Sequence, residues 1–353
     1  MAHVRHTACA RHYPDQVRFL LALAVTAGIV PGVVPGVGAP STVEPRDTET
    51  VIESVSPAFP NGVTLEVLGF DSYLRLRAPG REVQVPGYQN EPYLRIDRDG
   101  SVWLNEGSTT WVVNTDRYGN VDLSGFVPTT EPLWVRERDD ATALWHDHRV
   151  HWMSEKEPSV IDDVGTIQDF TLPVVVDGVT HTVTGALYLR ERASLAWWLT
   201  GLAATIVFVV LAVRRRGMFA LVAPVAGVVA GVVGTVQWFG TEPGARVVPL
   251  LGAFGALAAV VGVVGLAIGR ASRRNDGRGS GARGALMAAA LNAGSGASLV
   301  LVAVLTSDHV QSAYVPGLEW EWVARAVVPV VLAAGVVATI DGAARVVRGD
   351  VRA

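Results

Sequence analysis

"ALYLRERASLAWWLTGLAATIVFVVLAVRRR", residues 186–216, changes its period in mid-course. Up to Arg190 it closes "FTLPVVVDGVTHTVTGALYLR", a stretch of period-two alternation, as in strands with one wet face. From Ser194 to Val213 about twenty residues run almost wholly apolar, enough to cross a bilayer, and three arginines end the run. Two solvents meet here. A chain of 353 residues that is 50% hydrophobic and 18% charged, with 37 glycines, is too oily for one soluble domain. The average hides a division: residues 40–193 hold 25 Asp and Glu against 13 Lys and Arg, whereas 194–344 is mostly apolar runs between short polar breaks.

Downstream of the boundary the apolar runs recur. Five spans are expected: Ser194 to Val213, Met218 to Phe239, Val247 to Ile268, Ala285 to Leu305 and Ala326 to Ala344. Each is near the ~20 residues that cross a hydrocarbon layer of ~30 Å, and each must be helical because lipid offers an open backbone no partner. Breaks rich in arginine at 214–216, 270–283 and 345–352 alternate with breaks holding Glu242, Asp308, Glu319 and Glu321, which assigns the arginines to the cytoplasm. Trp197, Trp198, Trp238, Trp320 and Trp322 fall at the opposite ends of their spans, where an indole sits among headgroups. Both signals put 40–193 outside the cell membrane and the tail 345–353 in the cytoplasm. The pairs Gly227/Gly231 and Gly265/Gly269 suit close helix packing within one bundle. Asn292 and Ser295 are placed to bond across helices, and Asp341 to pair with Arg345. No span has the chain of acids or histidines that an ion pathway needs.

Upstream, Arg5, Arg11 and Arg18 precede "FLLALAVTAGIV", the apolar region of a secretory signal, so 1–39 reads as a signal peptide or a signal anchor. Cys9 is the single cysteine, which excludes an internal disulfide and a CxxC pair. The exported part must therefore fold by its core alone, for which a length of about 150 residues suffices. "VTLEVLGF", "SYLRLRA", "EVQVPGY", "YLRIDRDGSVWLN", "PLWVRER" and "FTLPVVVDGVTHTVTGALYLR" alternate with period two, and "DRDGS", "VDGV" and "DRYGN" supply turn chemistry. The expectation is a mainly β ectodomain over 40–193, a sandwich of immunoglobulin or cupredoxin type or a small barrel, followed by a five-helix transmembrane bundle over 194–344.

One stretch of this domain concentrates chemistry. "ALWHDHRVHWM", 143–153, packs three of the eight histidines into six positions. If it were one continuous strand, His146 and His148 would share a face and His151 would point away, so a common site needs a break between His148 and His151. Given that break, His146, His148 and His151 with Met153 as fourth ligand suit copper, the thioether favouring Cu(I), and three histidines with a water suit zinc. Against this stands a purely structural role, with Asp147 and Arg149 paired on a charged edge strand. His181 reads as a surface or half-buried strand histidine, and His309 beside Asp308 as part of an outer interfacial loop. Acid pairs such as Asp139/Asp140 and Asp162/Asp163 read as turn residues, and neither HExxH nor GxSxG occurs, so no catalytic residue is assigned and an enzyme is the less favoured class.

"EPYLRIDRDGSVWLNEGSTTWVVNTDRYGN" followed by "WHDHRVHWM" resembles the exported domain of uncharacterised actinobacterial membrane-anchored envelope proteins, in which a WHDHRxHWM-type signature follows a similar hairpin. The likeness covers about 60–193. It implies an envelope location and a membrane-anchored β domain, and brings no activity with it. Exported copper-handling proteins share the histidines, but their methionine-rich runs are absent here, where only Met1, Met153, Met218 and Met287 occur.

The sequence therefore supports a multi-pass envelope membrane protein whose exported β domain acts as a binding or assembly module. Its expected partners are the lipid bilayer and an envelope protein or a metal ion, not nucleic acid. The alternative is transition-metal handling, with copper or zinc held by the histidine stretch and no cofactor otherwise assured.

Overall fold

The computed structural model describes residues 44–348 apart from 155, 215, 244–245, 247–248 and 275–279. The expected signal segment 1–39 and the tail end 349–353 lie outside the described residues. Ten strands occur among them: β1 (Thr48–Ser56), β2 (Thr64–Leu68), β3 (Tyr73–Arg77), β4 (Val83–Pro86), β5 (Pro92–Ile96), β6 (Val102–Asn105), β7 (Trp134–Arg138), β8 (Thr142–Trp145), β9 (Thr166–Val176) and β10 (Val179–Leu189). They form two antiparallel sheets, one of seven strands in the order β1-β10-β9-β4-β5-β6-β7 and one of three in the order β2-β3-β8.

Alternation makes these strands. In β9 Phe170, Leu172, Val174 and Val176 are buried while Thr171 faces water. The two long strands β9 and β10 are joined by Asp177 and Gly178, both at positive φ (48° and 83°), the conformation of a two-residue hairpin turn with the right twist. Leu74 and Leu76 of β3 and Ala143 and Trp145 of β8 share one core with Val83, Val85, Leu94, Ile96, Leu172 and Val183 of the larger sheet. Each fully buried leucine there is worth roughly 1.5–3 kcal/mol of transfer free energy, which replaces the disulfide the chain lacks.

Among the described residues seven α-helices follow the same division: α1 (Thr109–Val113), inside the β domain, then α2 (Trp198–Arg214), α3 (Val222–Gly240), α4 (Leu250–Arg274), α5 (Ser280–Leu305), the short α6 (Asp308–Gln311) and α7 (Glu321–Arg348). Four stretches among the described residues are long and apolar enough to cross a membrane: Phe219–Gly240, Leu250–Arg274, Gly281–Leu305 and Glu321–Arg348. The first of the five expected spans differs, since its apolar helix, Leu195–Leu211, is shorter. Its opening residues, Leu195–Trp197, form a 3₁₀ turn capped by the Ser194 side chain rather than α-helix. The seventeen α-helical residues that follow reach only about 25 Å at 1.5 Å per residue.

Glycine sets the helix crossings. A Cβ on Gly234 would stand 2.1 Å from the backbone nitrogen of Gly252, and one on Gly255 would stand 2.5 Å from that of Gly231, so α3 and α4 touch backbone to backbone. Gly227 faces Ala259 in the same seam, and Gly265 and Gly269 face Leu291 and Ala288 of α5; both expected glycine pairs thus serve packing inside the bundle. Ser295 donates to the Ala258 carbonyl of α4 and Asn292 to the Ala338 carbonyl of α7, while Arg345 pairs with Asp341.

The β domain rests on the loops at one end of these helices. Arg75 pairs with Glu242 after α3, and Arg46 and Tyr314 exchange two backbone hydrogen bonds. Phe70 stacks on Tyr314 at 4.8 Å.

Candidate metal centre

Strand β8 stops at Trp145, earlier than a continuous strand through 153 requires. The cause is Asp147, whose buried carboxylate accepts from the Trp145 indole (3.0 Å), the Arg149 backbone (3.0 Å) and the Arg149 guanidinium at both oxygens (2.9 and 2.6 Å). Its carbonyl accepts from Val150 (3.1 Å), which closes a turn over 147–150. Arg149 lies over the Tyr88 ring, and the Thr50 hydroxyl holds the Val150 carbonyl. The turn is the break that convergence of the histidines required.

His146, His148 and His151 are all buried, at 3, 8 and 1% exposure. Their ring centroids lie 4.0 to 5.2 Å apart. Each ring spends one nitrogen on a backbone carbonyl: His146 Nδ1 on Ser72 (2.9 Å), His148 Nε2 on Asp116 (3.0 Å) and His151 Nδ1 on Trp152 (2.9 Å). A carbonyl only accepts, so those nitrogens carry the proton. The other three, His146 Nε2, His148 Nδ1 and His151 Nε2, are left with a lone pair, and all three are buried without a hydrogen-bond partner. Burial lowers the three rings: His146 falls to about 4, His148 falls, and His151 falls furthest because His146 and Arg117 add to the desolvation. The rings are neutral at pH 7, the form that binds metal.

Three such nitrogens are costly as hydrogen-bond orphans and well suited as ligands. A metal-bound imidazole characteristically gives its second N–H to a carbonyl, which fixes tautomer and ring angle. One donor atom from each ring lies within 4.8 Å of the others. Nitrogens at the corners of a triangle 4.8 Å wide stand about 2.8 Å from its centre, about 0.7 Å beyond a zinc–imidazole bond of about 2.0–2.1 Å. For one nitrogen of each ring the closure needed to reach bonding distance is thus below one ångström. Among the described residues no other group of three or more His, Cys, Asp and Glu converges in this way.

Met153 sits at the rim, 40% exposed. Gly119, at φ +69°, separates it from His148: a Cβ there would lie 3.1 Å from the Met153 methyl, 3.2 Å from His148 Cε1 and 3.5 Å from the unpartnered His148 Nδ1. Tyr88 stacks on His148 at 6.0 Å, accepts its backbone N–H (2.8 Å) and donates to Asn114.

The supporting residues escaped the sequence reading. "DRYGN" is a turn, with Asp116 accepting from Tyr118 and Asn120 (both 2.9 Å), but it builds the wall of the site rather than a hairpin. Ser72 and Asp71 carried no signal at all. The other histidines stand apart. His181, expected at the surface or half-buried, is buried and bonds the Pro57 carbonyl (2.7 Å). His309, brought down to about 4 by burial, lines a cavity of about 500 Å³ with Gln237, Trp238 and Arg246 at the helix ends. No protein-family model, curated protein or solved structure matches this sequence.

Proposed function

We propose that this chain is an envelope membrane protein whose exported β domain binds one transition-metal ion, copper, through His146, His148 and His151. The observation that carries the reading is the set of three buried, unpartnered imidazole nitrogens, each backed by a carbonyl on its far side. A structural role for the stretch accounts for Asp147 and Arg149, which are fully paired, but leaves three orphaned acceptors unexplained. Copper is favoured by the donor set. The ligands are neutral nitrogens with a thioether at the rim and no carboxylate among them, and the desolvation cost of a buried ion grows with the square of its charge, so Cu(I) is penalised least. Zinc, with a water or hydroxide at the fourth position, is the second reading.

The two sheets around one core support the sandwich reading of the β domain. The loops holding Glu242 and Tyr314 pack on the β domain, and the arginine-bearing breaks fall at the other ends of the helices; this supports α2 as a fifth, short crossing with the β domain outside and the C-terminus in the cytoplasm. On this reading the protein partner expected from the sequence would meet the metal site at its Met153 rim.

The test is a titration of the full chain in detergent micelles with Cu(I), under a competing chelator, and with Zn(II). The expected result is uptake of one equivalent that His148→Ala abolishes while the β domain stays folded by urea denaturation. Failure of both metals to bind the wild-type chain refutes the reading.

A further inference from the structure

The three carbonyls that orient the histidines belong to segments far apart in the sequence, at Ser72, Asp116 and Trp152. All three segments meet at one carboxylate. Asp71, immediately before Ser72, has a side chain with no exposed surface. Its Oδ1 accepts from Arg117 (2.8 Å), the neighbour of Asp116, and from Arg46 (2.5 Å). Its Oδ2 accepts from the Trp152 backbone N–H (3.4 Å) and from the Thr48 hydroxyl (2.6 Å). Four donors fill the four lone-pair directions of the carboxylate. Moving Asp71 would move every carbonyl behind the metal ligands.

One of the four donors, Arg46, leads elsewhere. Arg46 pairs through its backbone with Tyr314, Arg46 N–H to the Tyr314 carbonyl at 3.3 Å and Tyr314 N–H to the Arg46 carbonyl at 2.9 Å. Tyr314 lies in the connection between α5 and α7, both membrane-spanning by length and composition. A second route runs through rings: Tyr314 packs on buried Tyr73, whose ring meets His146 edge-on at 6.4 Å.

We propose that Asp71 is a positioning residue that couples metal occupancy of the three-histidine centre to the seating of the Tyr314 loop on the β domain. The element with two arrangements is the Arg46–Tyr314 bridge, paired or parted. Closing three rings by a fraction of an ångström draws Ser72, Asp116 and Trp152 toward the metal and tightens the carboxylate on Arg46. By linkage the effect is reciprocal: whatever parts the bridge weakens metal binding by the same factor. The inference rests on the metal reading above.

The experiment uses the full chain in detergent and one metal at a time, Cu(I) or Zn(II). Hydrogen exchange followed by mass spectrometry reads the backbone amides of 310–318 with and without metal. Bound metal should slow exchange there at least fivefold, within the range typical of coupled sites. Tyr314→Pro removes the N–H that Arg46 accepts together with the ring that packs on Phe70 and Tyr73, so it cuts both routes at once, and should weaken metal affinity at least fivefold. Asp71→Asn should abolish the exchange effect, and Arg46→Gln serves in its place if that variant does not fold. Stoichiometric uptake by the wild type with unchanged exchange at 310–318 and unchanged affinity in Tyr314→Pro overturns the coupling and leaves the metal reading standing. No uptake by the wild type overturns both.

Discussion

Acid should unfold the metal-free β domain early, and His146 sets the scale. Its ring titrates at about 4 in the folded chain against an ordinary 6.5, because burial disfavours the imidazolium. The folded state therefore binds fewer protons than the unfolded state between these values. The stabilisation is present in full above pH 6.5 and is lost progressively as the pH falls toward about 4. Between pH 7 and 5 the loss from His146 alone is roughly 2 kcal/mol, rising to roughly 3 kcal/mol below pH 4. His148 and His151 act in the same direction. The assay is pulse proteolysis of the full chain in detergent across a urea series at pH 7, 6 and 5, reading cleavage within 44–193. His146→Asn, whose amide nitrogen reaches the place of Nδ1 and keeps the bond to Ser72, should lose most of the His146 contribution to the pH slope. Added Cu(I) should raise the midpoint at pH 5 at least as much as at pH 7, because the folded rings are still neutral there and only the unfolded chain's histidines have taken up protons. Equal midpoints at pH 7 and 5 in the wild type, or equal slopes in wild type and His146→Asn, would refute the claim that these rings are held neutral.

Three further outcomes are expected. Gly119→Ala places a methyl at positive φ between His148 and Met153, which should cost about 1–2 kcal/mol of stability and weaken metal binding, since Met153 has room to yield and His148, held by Asp116, does not; unchanged metal affinity would exclude Met153 and its approach to His148 from the site. In the bundle, Gly234→Val meets the backbone of Gly252 and should abolish a monodisperse species on gel filtration, whereas Gly294→Ala enters open space and should behave as wild type. In a Cys9→Ser background, an impermeant maleimide should label Ser124→Cys in intact cells and Val347→Cys only after permeabilisation; the reverse pattern would invert the topology.

Much of the architecture could be read from the sequence because burial writes its period there. The change from alternation to an apolar run near Ser194 marked the division between sheet and helix, and "VDGV" marked the β9–β10 turn. The length of the first apolar helix could not be read, because hydropathy does not distinguish a 3₁₀ turn at Leu195–Trp197 from α-helix. Nor could convergence of the histidines. It depends on Asp147 closing a turn that strand periodicity does not encode, and on carbonyls at Ser72, Asp116 and Trp152, which every residue type possesses equally. His181 read as surface or half-buried for a related reason: flanked by threonines, its full burial under the Pro57 carbonyl depends on a segment more than a hundred positions away.

The two ends of the β domain are sewn to the same spot. Asp47 near its start accepts from Ala313 (2.8 Å) and pairs with Arg192 near its end, whose neighbour Ala193 donates to Gln311 (2.7 Å). A domain hung from a single flexible leash sweeps a hemisphere, and a longer leash extends its reach. This one is mounted like a lamp on a bracket: inserting residues next to 194 gains no travel until the stitches at 311–314 are cut.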